Sequence, residues 1–145
     1  MDKNKKIDNI KFIVSECATD EEAKKVYSGL RKFNEIHFKN VKTFPLNIYL
    51  FDNGEIIGGI ISEVFGNWLE VNYLWLNESY RGMGLGTKLL LKLETIAKQH
   101  GCKKVSLKTF NFQAPNFYLK KGYSIIYCLD NYPIEEKMYF LSKEI

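Results

Sequence analysis

Trp68-Leu69-Glu70-Val71-Asn72-Tyr73-Leu74-Trp75-Leu76 runs through a short link into Tyr80-Arg81-Gly82-Met83-Gly84-Leu85-Gly86-Thr87. The first stretch is an apolar, aromatic-rich run that suits a strand. After the second, Leu85, Leu89, Leu93, Ile96 and Ala97 recur at helical spacing, and Gly101 supplies a C-cap. A glycine loop between a strand and a helix gathers free backbone N–H groups where the helix dipole is positive. Glycines also let a ligand approach without interference from a Cβ. The stretch predicts a cradle for a phosphate or pyrophosphate.

Working outward, residues 46–51 (LNIYLF) and 55–65 read as strands joined by Asp52-Asn53-Gly54. Asn-Gly tolerates the positive φ of a tight hairpin. Gly58-Gly59 predicts a bend or bulge, and Gly66-Asn67 turns the chain into the strand at 68–76. Further upstream, residues 10–15 (IKFIVS) are a strand candidate. Thr19-Asp20-Glu21-Glu22 reads as a capping box with Thr19 as the cap. The helix it opens carries Ala23, Val26, Tyr27, Leu30 and Phe33 on one face. Downstream, residues 104–109 form a strand and Pro115 opens a short helix to about Lys121. Gly122 stops that helix, and strands at 123–129 and 138–141 end the chain. The expected order is β-α-β-β-β-α-β-α-β-β: an α/β domain on an α+β mixed sheet, a meander followed by a βαβ crossover.

Two familiar glycine loops do not fit. The dinucleotide fingerprint needs a third glycine where Thr87 stands, and it follows a parallel sheet. The P-loop needs a glycine at Thr87 before Lys88. What remains is Arg-x-x-Gly-x-Gly at Arg81, Gly84 and Gly86. A second motif comes at the distance of one helix and one strand: Asn111-Phe112-Gln113-Ala114-Pro115-Asn116-Phe117-Tyr118, ending in Gly122-Tyr123. In these two motifs the sequence resembles the GNAT superfamily of acyl-CoA-dependent N-acyltransferases. The resemblance is strong from about Glu70 to Tyr123, within a motif core of about 68–129, and weak before residue 44.

The resemblance implies one N-acetyltransferase domain over residues 1–145 that uses acetyl-CoA as acyl donor and no metal. It places the pyrophosphate on Arg81, Gly82, Met83, Gly84, Leu85, Gly86 and Thr87. It gives Leu74, Trp75 and Leu76 backbone contacts with the pantetheine arm, and Asn111 a side-chain contact with the same arm. Ala114 belongs to the same cofactor-binding motif. Tyr118 becomes the general acid near the cofactor sulfur, and Glu70 the general base, acting directly or through water. Glu63 and His37 are alternative bases.

The residue chemistry agrees with those roles. Acetyl transfer from a thioester needs a neutral amine, a polarised carbonyl and a proton for the leaving thiolate. A tyrosine stays protonated at neutral pH and can donate, and the backbone N–H of Leu76 or a neighbour can polarise the carbonyl. Strand alternation puts Glu70, Asn72 and Leu74 on one face. Transfer is then direct, in a ternary complex. Family resemblance offers polyamines, amino sugars and amino-sugar antibiotics as acceptors. Protein N-termini or lysines, and a CoA-binding module without turnover, are the alternatives. Related proteins are often dimers, and the C-terminal strands can pair across a two-fold axis.

Composition sets bounds on these readings. The 145 residues are 46% hydrophobic and 26% charged, with a net charge of +4. That suits an anionic ligand and is too weak for a nucleic-acid partner. No apolar run reaches the length of a membrane span. Cys17, Cys102 and Cys128 are widely spaced and form no CxxC pair, so neither a zinc site nor a disulfide framework is expected. The thiols read as small apolar residues of a cytoplasmic protein rather than acyl carriers.

Overall fold

The computed structural model describes residues 10–17 and 20–145. The chain separates into two compact units, Met1–Asn40 and Val41–Ile145.

In the first unit, helix α1 spans Glu21–Asn34. Its cap is Asp20, whose Oδ1 accepts from the Ala23 N–H at 2.8 Å. Ser15 donates to the other carboxylate oxygen. These two bonds, Ser15 first, hold the Asp20 carboxyl below its usual range. The expected capping box is therefore corrected. The cap lies one residue later than predicted, and the third helical position is Ala23, which cannot reciprocate. Thr19 itself lies outside the described residues. The strand expected at residues 10–15 is also corrected, since residues 10–17 hold no regular structure. A short apolar run is a strand only where it finds a partner to complete its ladder.

The second unit is built on a seven-stranded mixed sheet. The strands are β1 (Thr43–Pro45), β2 (Ile48–Asp52), β3 (Glu55–Phe65), β4 (Trp68–Leu76), β5 (Lys104–Phe110), β6 (Ser124–Asp130) and β7 (Lys137–Glu144). The order is β1-β3-β4-β5-β7-β6, with β2 also paired to β3. Strand β1 was not anticipated. It continues the edge that β2 occupies, because Ser62 ties down the link between them. The Ser62 N–H donates to Asn47 Oδ1 and its hydroxyl to the Leu46 carbonyl. The β2–β3 hairpin turns at Asn53 and Gly54, both at positive φ as expected.

Pairing is antiparallel except between β4 and β5, which run parallel. Helix α2 (Leu85–Gln99) makes that crossover. Its inner face is Leu89, Leu90, Leu93 and Ala97, so Leu90 is buried where the sequence reading placed Leu85 and Ile96. These side chains pack with Ile60, Val64, Leu69, Val71, Val105, Leu107 and Leu141 into one core. The short helix α3 (Pro115–Lys120) comes after β5, with Pro115 in its first turn.

Two features of β4 set the geometry at its C-terminal end. The first is a register shift: Ile61 pairs with Tyr73 and Ser62 with Val71, which leaves Asn72 as an extra, bulged residue. The expectation that Glu70, Asn72 and Leu74 share a face is thereby corrected. The bulge reverses the alternation, so Leu74 and Leu76 join Leu69 and Val71 on the core side while Glu70 stays on the other. The second feature is where pairing ends. β4 and β5 are in register from Trp68 with Lys104 only as far as Val71 with Leu107. Beyond that point the two strands have parted.

Candidate active site

Where β4 and β5 part, a cleft of about 790 Å³ opens. One wall is Val71 through Leu76. The other is Leu107, Lys108 and Thr109, with Phe112, Gln113 and Ala114 from the turn after β5 and Phe117 and Tyr118 from α3. Arg81, Gly82, Gly84, Leu85, Gly86 and Thr87 close one end. The structure thus brings both sequence motifs to one cavity, from opposite sides of the parting strands.

The glycine loop needs its glycines for local reasons. Gly82 and Gly84 sit at φ +76° and +77°. Gly84 is also the N-cap of α2, and no side chain caps that helix. The first N–H groups of α2 therefore open onto the cleft end without an internal side-chain acceptor. Arg81 pins the loop to the strand it left, because its Nε donates to the Leu76 carbonyl at 3.1 Å. Its guanidinium also faces Glu78 at 3.7 Å, an exposed pair of small worth. Tyr80 braces the base of the loop, donating to Asp52 Oδ2 at 2.6 Å, and that bond raises the phenol above its usual range.

On the strand wall, a glycine makes the geometry possible. A Cβ at Gly58 would lie 2.5 Å from Leu76 Cδ2 and 2.7 Å from the Trp75 carbonyl oxygen. Gly58 lies next to a register shift in the β2–β3 pairing, as the Gly58-Gly59 pair suggested. Beyond Val71, no strand among the described residues pairs with β4 on its β5 side. That stretch of backbone can meet an extended amide-bearing arm as a further strand would.

Across the cleft, Gln113 folds back on the end of β5. Its Oε1 accepts from the Phe110 N–H at 2.9 Å and the Thr109 hydroxyl at 3.3 Å. This fixes the turn that launches α3 and with it Tyr118. Tyr118 is 7% exposed yet lines the cleft. Its ring meets Phe117 and Tyr123 edge-on, at centroid distances of 5.0 and 5.7 Å. Burial raises its phenol above the usual range, so it is a protonated donor at neutral pH.

Three expected residues stand apart from the cleft lining. Met83 is exposed and is not among the residues lining the cleft. Asn111 is occupied locally: its side-chain oxygen accepts from the Lys137 N–H, and its own N–H donates to the Lys137 carbonyl, both at 2.9 Å. Glu70 lies on the sheet face away from the core, one residue before β4 and β5 part, directly opposite Glu63 on β3. His37 belongs to the first unit. His100 is the C-cap of α2 with its ring edge-on to Phe44. Among the cysteines, Cys102 is buried and burial raises its thiol. Cys128 is half-buried and Cys17 is exposed, so only Cys102 is the buried apolar residue expected. None of the three lines the cleft.

Tyr73, Lys108, Phe112 and Phe117 line the cleft without having been singled out from sequence. For Tyr73 the missing signal was the bulge. For Phe112 and Phe117 the signal was present, as aromatic residues inside the second motif.

The acetyltransferase (GNAT) family model matches residues 10–123. A blasticidin-S acetyltransferase of Streptomyces morookaense is 35% identical over 106 residues, covering 70% of this chain and 78% of that protein. The crystal structure of an acetyltransferase from Bacillus cereus superposes with a TM-score of 0.82 at 28% identity, covering 92% of this chain and 98% of that one. A Bacillus anthracis protein crystallised in complex with acetyl coenzyme A shares the fold, with a TM-score of 0.61 at 22% identity over 70% of this chain and 62% of that one. The cleft between two parting strands, its glycine-capped helix and these likenesses agree, and the chain belongs to the GNAT family of acetyltransferases.

Proposed function

We propose that the chain transfers the acetyl group of acetyl-CoA directly to a primary amine of a small molecule. The observation that carries this is the parting of β4 and β5 between the α2 N-terminus and Tyr118. Acetyl-CoA supplies an activated thioester on a pantetheine arm. Backbone N–H groups from Gly82 to Thr87, with Arg81 beside them, suit its pyrophosphate. The free edge of Leu74, Trp75 and Leu76 suits the amides of the arm.

The backbone N–H of Leu76 or of a neighbour on β4, whichever the arm leaves free, polarises the thioester carbonyl. Glu70, through water, takes the proton of the incoming ammonium. The neutral nitrogen bonds to the carbonyl carbon, the carbon–sulfur bond breaks and the thiolate takes the Tyr118 proton; the second proton then leaving the nitrogen restores the Tyr118 phenol through solvent, so the amide and the enzyme both end neutral. Asn111 has its side-chain oxygen on the Lys137 N–H, and its amide NH2 is a donor for the arm beside the strand edge. The small-molecule acceptor draws support from the Streptomyces relative, whose name gives blasticidin S as its acceptor.

Thermal denaturation with ligands tests the cofactor half of this reading. Acetyl-CoA should raise the melting temperature, and NADH and ATP at equal concentration should do so less, because a ligand bound only by the folded state stabilises it. No shift and no calorimetric heat at millimolar acetyl-CoA would remove the reading.

A further inference from the structure

The bulge at Asn72 decides which side chains face the acceptor. Leu74 and Leu76 turn to the core, so Tyr73 and Trp75 project from the opposite face of the sheet. β5 alternates without interruption: Val105, Leu107 and Thr109 are buried, and Lys108 and Phe110 therefore share that opposite face. The Phe110 ring lies nearly parallel to Phe112, at 5.1 Å and 11°, and to Tyr132 in the turn between β6 and β7, at 6.3 Å and 19°. Both parted strands thus carry rings on one face. Helix α2 packs on the other face, so the glycine loop and the rings address the cleft from opposite sides.

These rings are not core. Tyr73 is 71% exposed and Phe112 64% exposed, and both line the cleft. The Phe112–Phe110–Tyr132 stack, with Tyr73 and Trp75 on the same face of the other parted strand, offers a surface for another flat ring. A second observation adds charge. Glu63 and Glu70 stand directly opposite each other on that same face. Like charges so placed weaken a sheet, and neither carboxylate has an ion-pair partner among the described residues. A cation brought to them is attracted. Lys108 sits on the β5 side and leaves the β3–β4 side acidic.

We propose that the acceptor is an amine carried on a planar aromatic or heteroaromatic ring, with the ring against Tyr73, Trp75 and the Phe112–Phe110–Tyr132 stack and the ammonium arm toward Glu70 and Glu63. This rests on the acetyl-transfer reading and narrows its acceptor. A flexible polyamine has no ring to stack, and an amino sugar presents a puckered C–H face rather than a planar π-face to these rings.

The test is steady-state thiol release from acetyl-CoA with phenethylamine and 2-aminoethyl cytosine, set against spermidine and glucosamine. The ring-bearing amines should have kcat/KM at least about tenfold higher. Phe112→Ala and Tyr132→Ala should raise the KM of the ring-bearing amine by about 10- to 100-fold, the usual worth of one stacked ring. The KM of acetyl-CoA should stay near the parent value. Phe112→Leu keeps apolar bulk without the stack and should behave like Phe112→Ala; melting curves serve as the folding control. Equal or better rates with spermidine or glucosamine, no turnover of either ring-bearing amine, or parental KM values in folded variants would overturn the proposal. If acetyl-CoA also failed to raise the parent melting temperature, the acetyl-transfer reading would fall with it. If the shift remained, the ring-bearing acceptor alone would be wrong.

Discussion

Tyr123 donates its phenol hydrogen to Glu94 Oε1 at 2.8 Å, joining the strand side of the core to helix α2 behind the cleft. The second carboxylate oxygen is held by Lys143 Nζ, also at 2.8 Å. Glu94 is 6% exposed, so its charge is tolerated only while both partners are in place. The Tyr123 ring in turn meets Tyr118 edge-on at 5.7 Å. One buried network therefore supports the back of the proposed acid.

Lys143→Met should leave the Glu94 carboxylate buried with one neutral donor. Breaking a buried pair from one side costs about 3–5 kcal/mol, and the partial exposure of Lys143 reduces that to about 2–4 kcal/mol here. Adding Glu94→Gln to Lys143→Met removes the stranded charge and should recover part of the loss. Urea denaturation of the two variants measures it. Equal midpoints for the parent and Lys143→Met would refute the account of the network.

Alkaline stability depends on the same network. Burial first, then the Glu94 charge and hydrogen bond, raise the Tyr123 phenol far above its usual range. In the unfolded chain a tyrosine loses its proton near pH ~10, so above that the folded state binds more protons. The contribution is fully present below about pH 10 and is lost as pH rises further, at up to about 1.4 kcal/mol per pH unit for one group. Tyr118 adds to the slope in the same direction, since burial raises it too. Tyr123→Phe should show a shallower fall in stability between about pH 9 and pH 11 than the parent. Parallel curves would contradict the assignment.

The glycine loop offers a separation of fold from binding. A Cβ at Gly84 meets nothing within 4 Å, but φ is +77° there. Gly84→Ala should cost about 1–2 kcal/mol for the left-handed backbone and lower acetyl-CoA affinity at least about tenfold by tilting the first N–H groups. At Gly86 the helix is regular and an added Cβ would rest 3.6 Å from Phe117 Cζ. Gly86→Ala should keep or slightly raise stability. Calorimetry and melting curves on both variants check the contrast.

How far the sequence spoke can be judged from particular residues. Strands β3 and β4, the start of α2 at Leu85 and the Pro115 start of α3 were legible, because glycine, proline and periodic apolar patterns act locally. The bulge at Asn72 was not, since no residue there demands one; it arises from fitting two strands in register. That single residue misplaced Leu74 beside Glu70 and hid the orientation of Tyr73. The Lys137 contacts of Asn111 join residues 26 apart in sequence and leave no local trace. Strand β1 depends on Ser62 and Leu46, again a tertiary matter. The short apolar run at residues 10–15 carried a strand pattern that found no ladder.

Of the two proposed proton carriers, Glu70 is the more exposed to test. Glu70→Gln should lower kcat by about 100-fold with little change in the KM of acetyl-CoA. Glu63→Gln, one strand further from β5, should cost less. If Glu63→Gln proved the more damaging of the two, the base would have to be reassigned to β3.

Tyr118→Phe removes one oxygen and almost no volume, so the core around Phe117 and Tyr123 should survive. kcat should fall about 10- to 1000-fold at unchanged acetyl-CoA affinity. A folded variant with parental kcat would remove Tyr118 as the acid, unless pre-steady-state rates showed product release to be limiting.

The most direct measurement is rapid-quench thiol release from acetyl-CoA, followed with and without an amine acceptor and paired with mass analysis of the product. The account predicts free thiol only when the amine is present, in step with an amine heavier by one acetyl group, and no acetylated enzyme at any time. A burst of thiol before amine is added, with acetyl on the protein, would contradict direct transfer; no thiol release with any amine at saturating acetyl-CoA would contradict the proposed function itself.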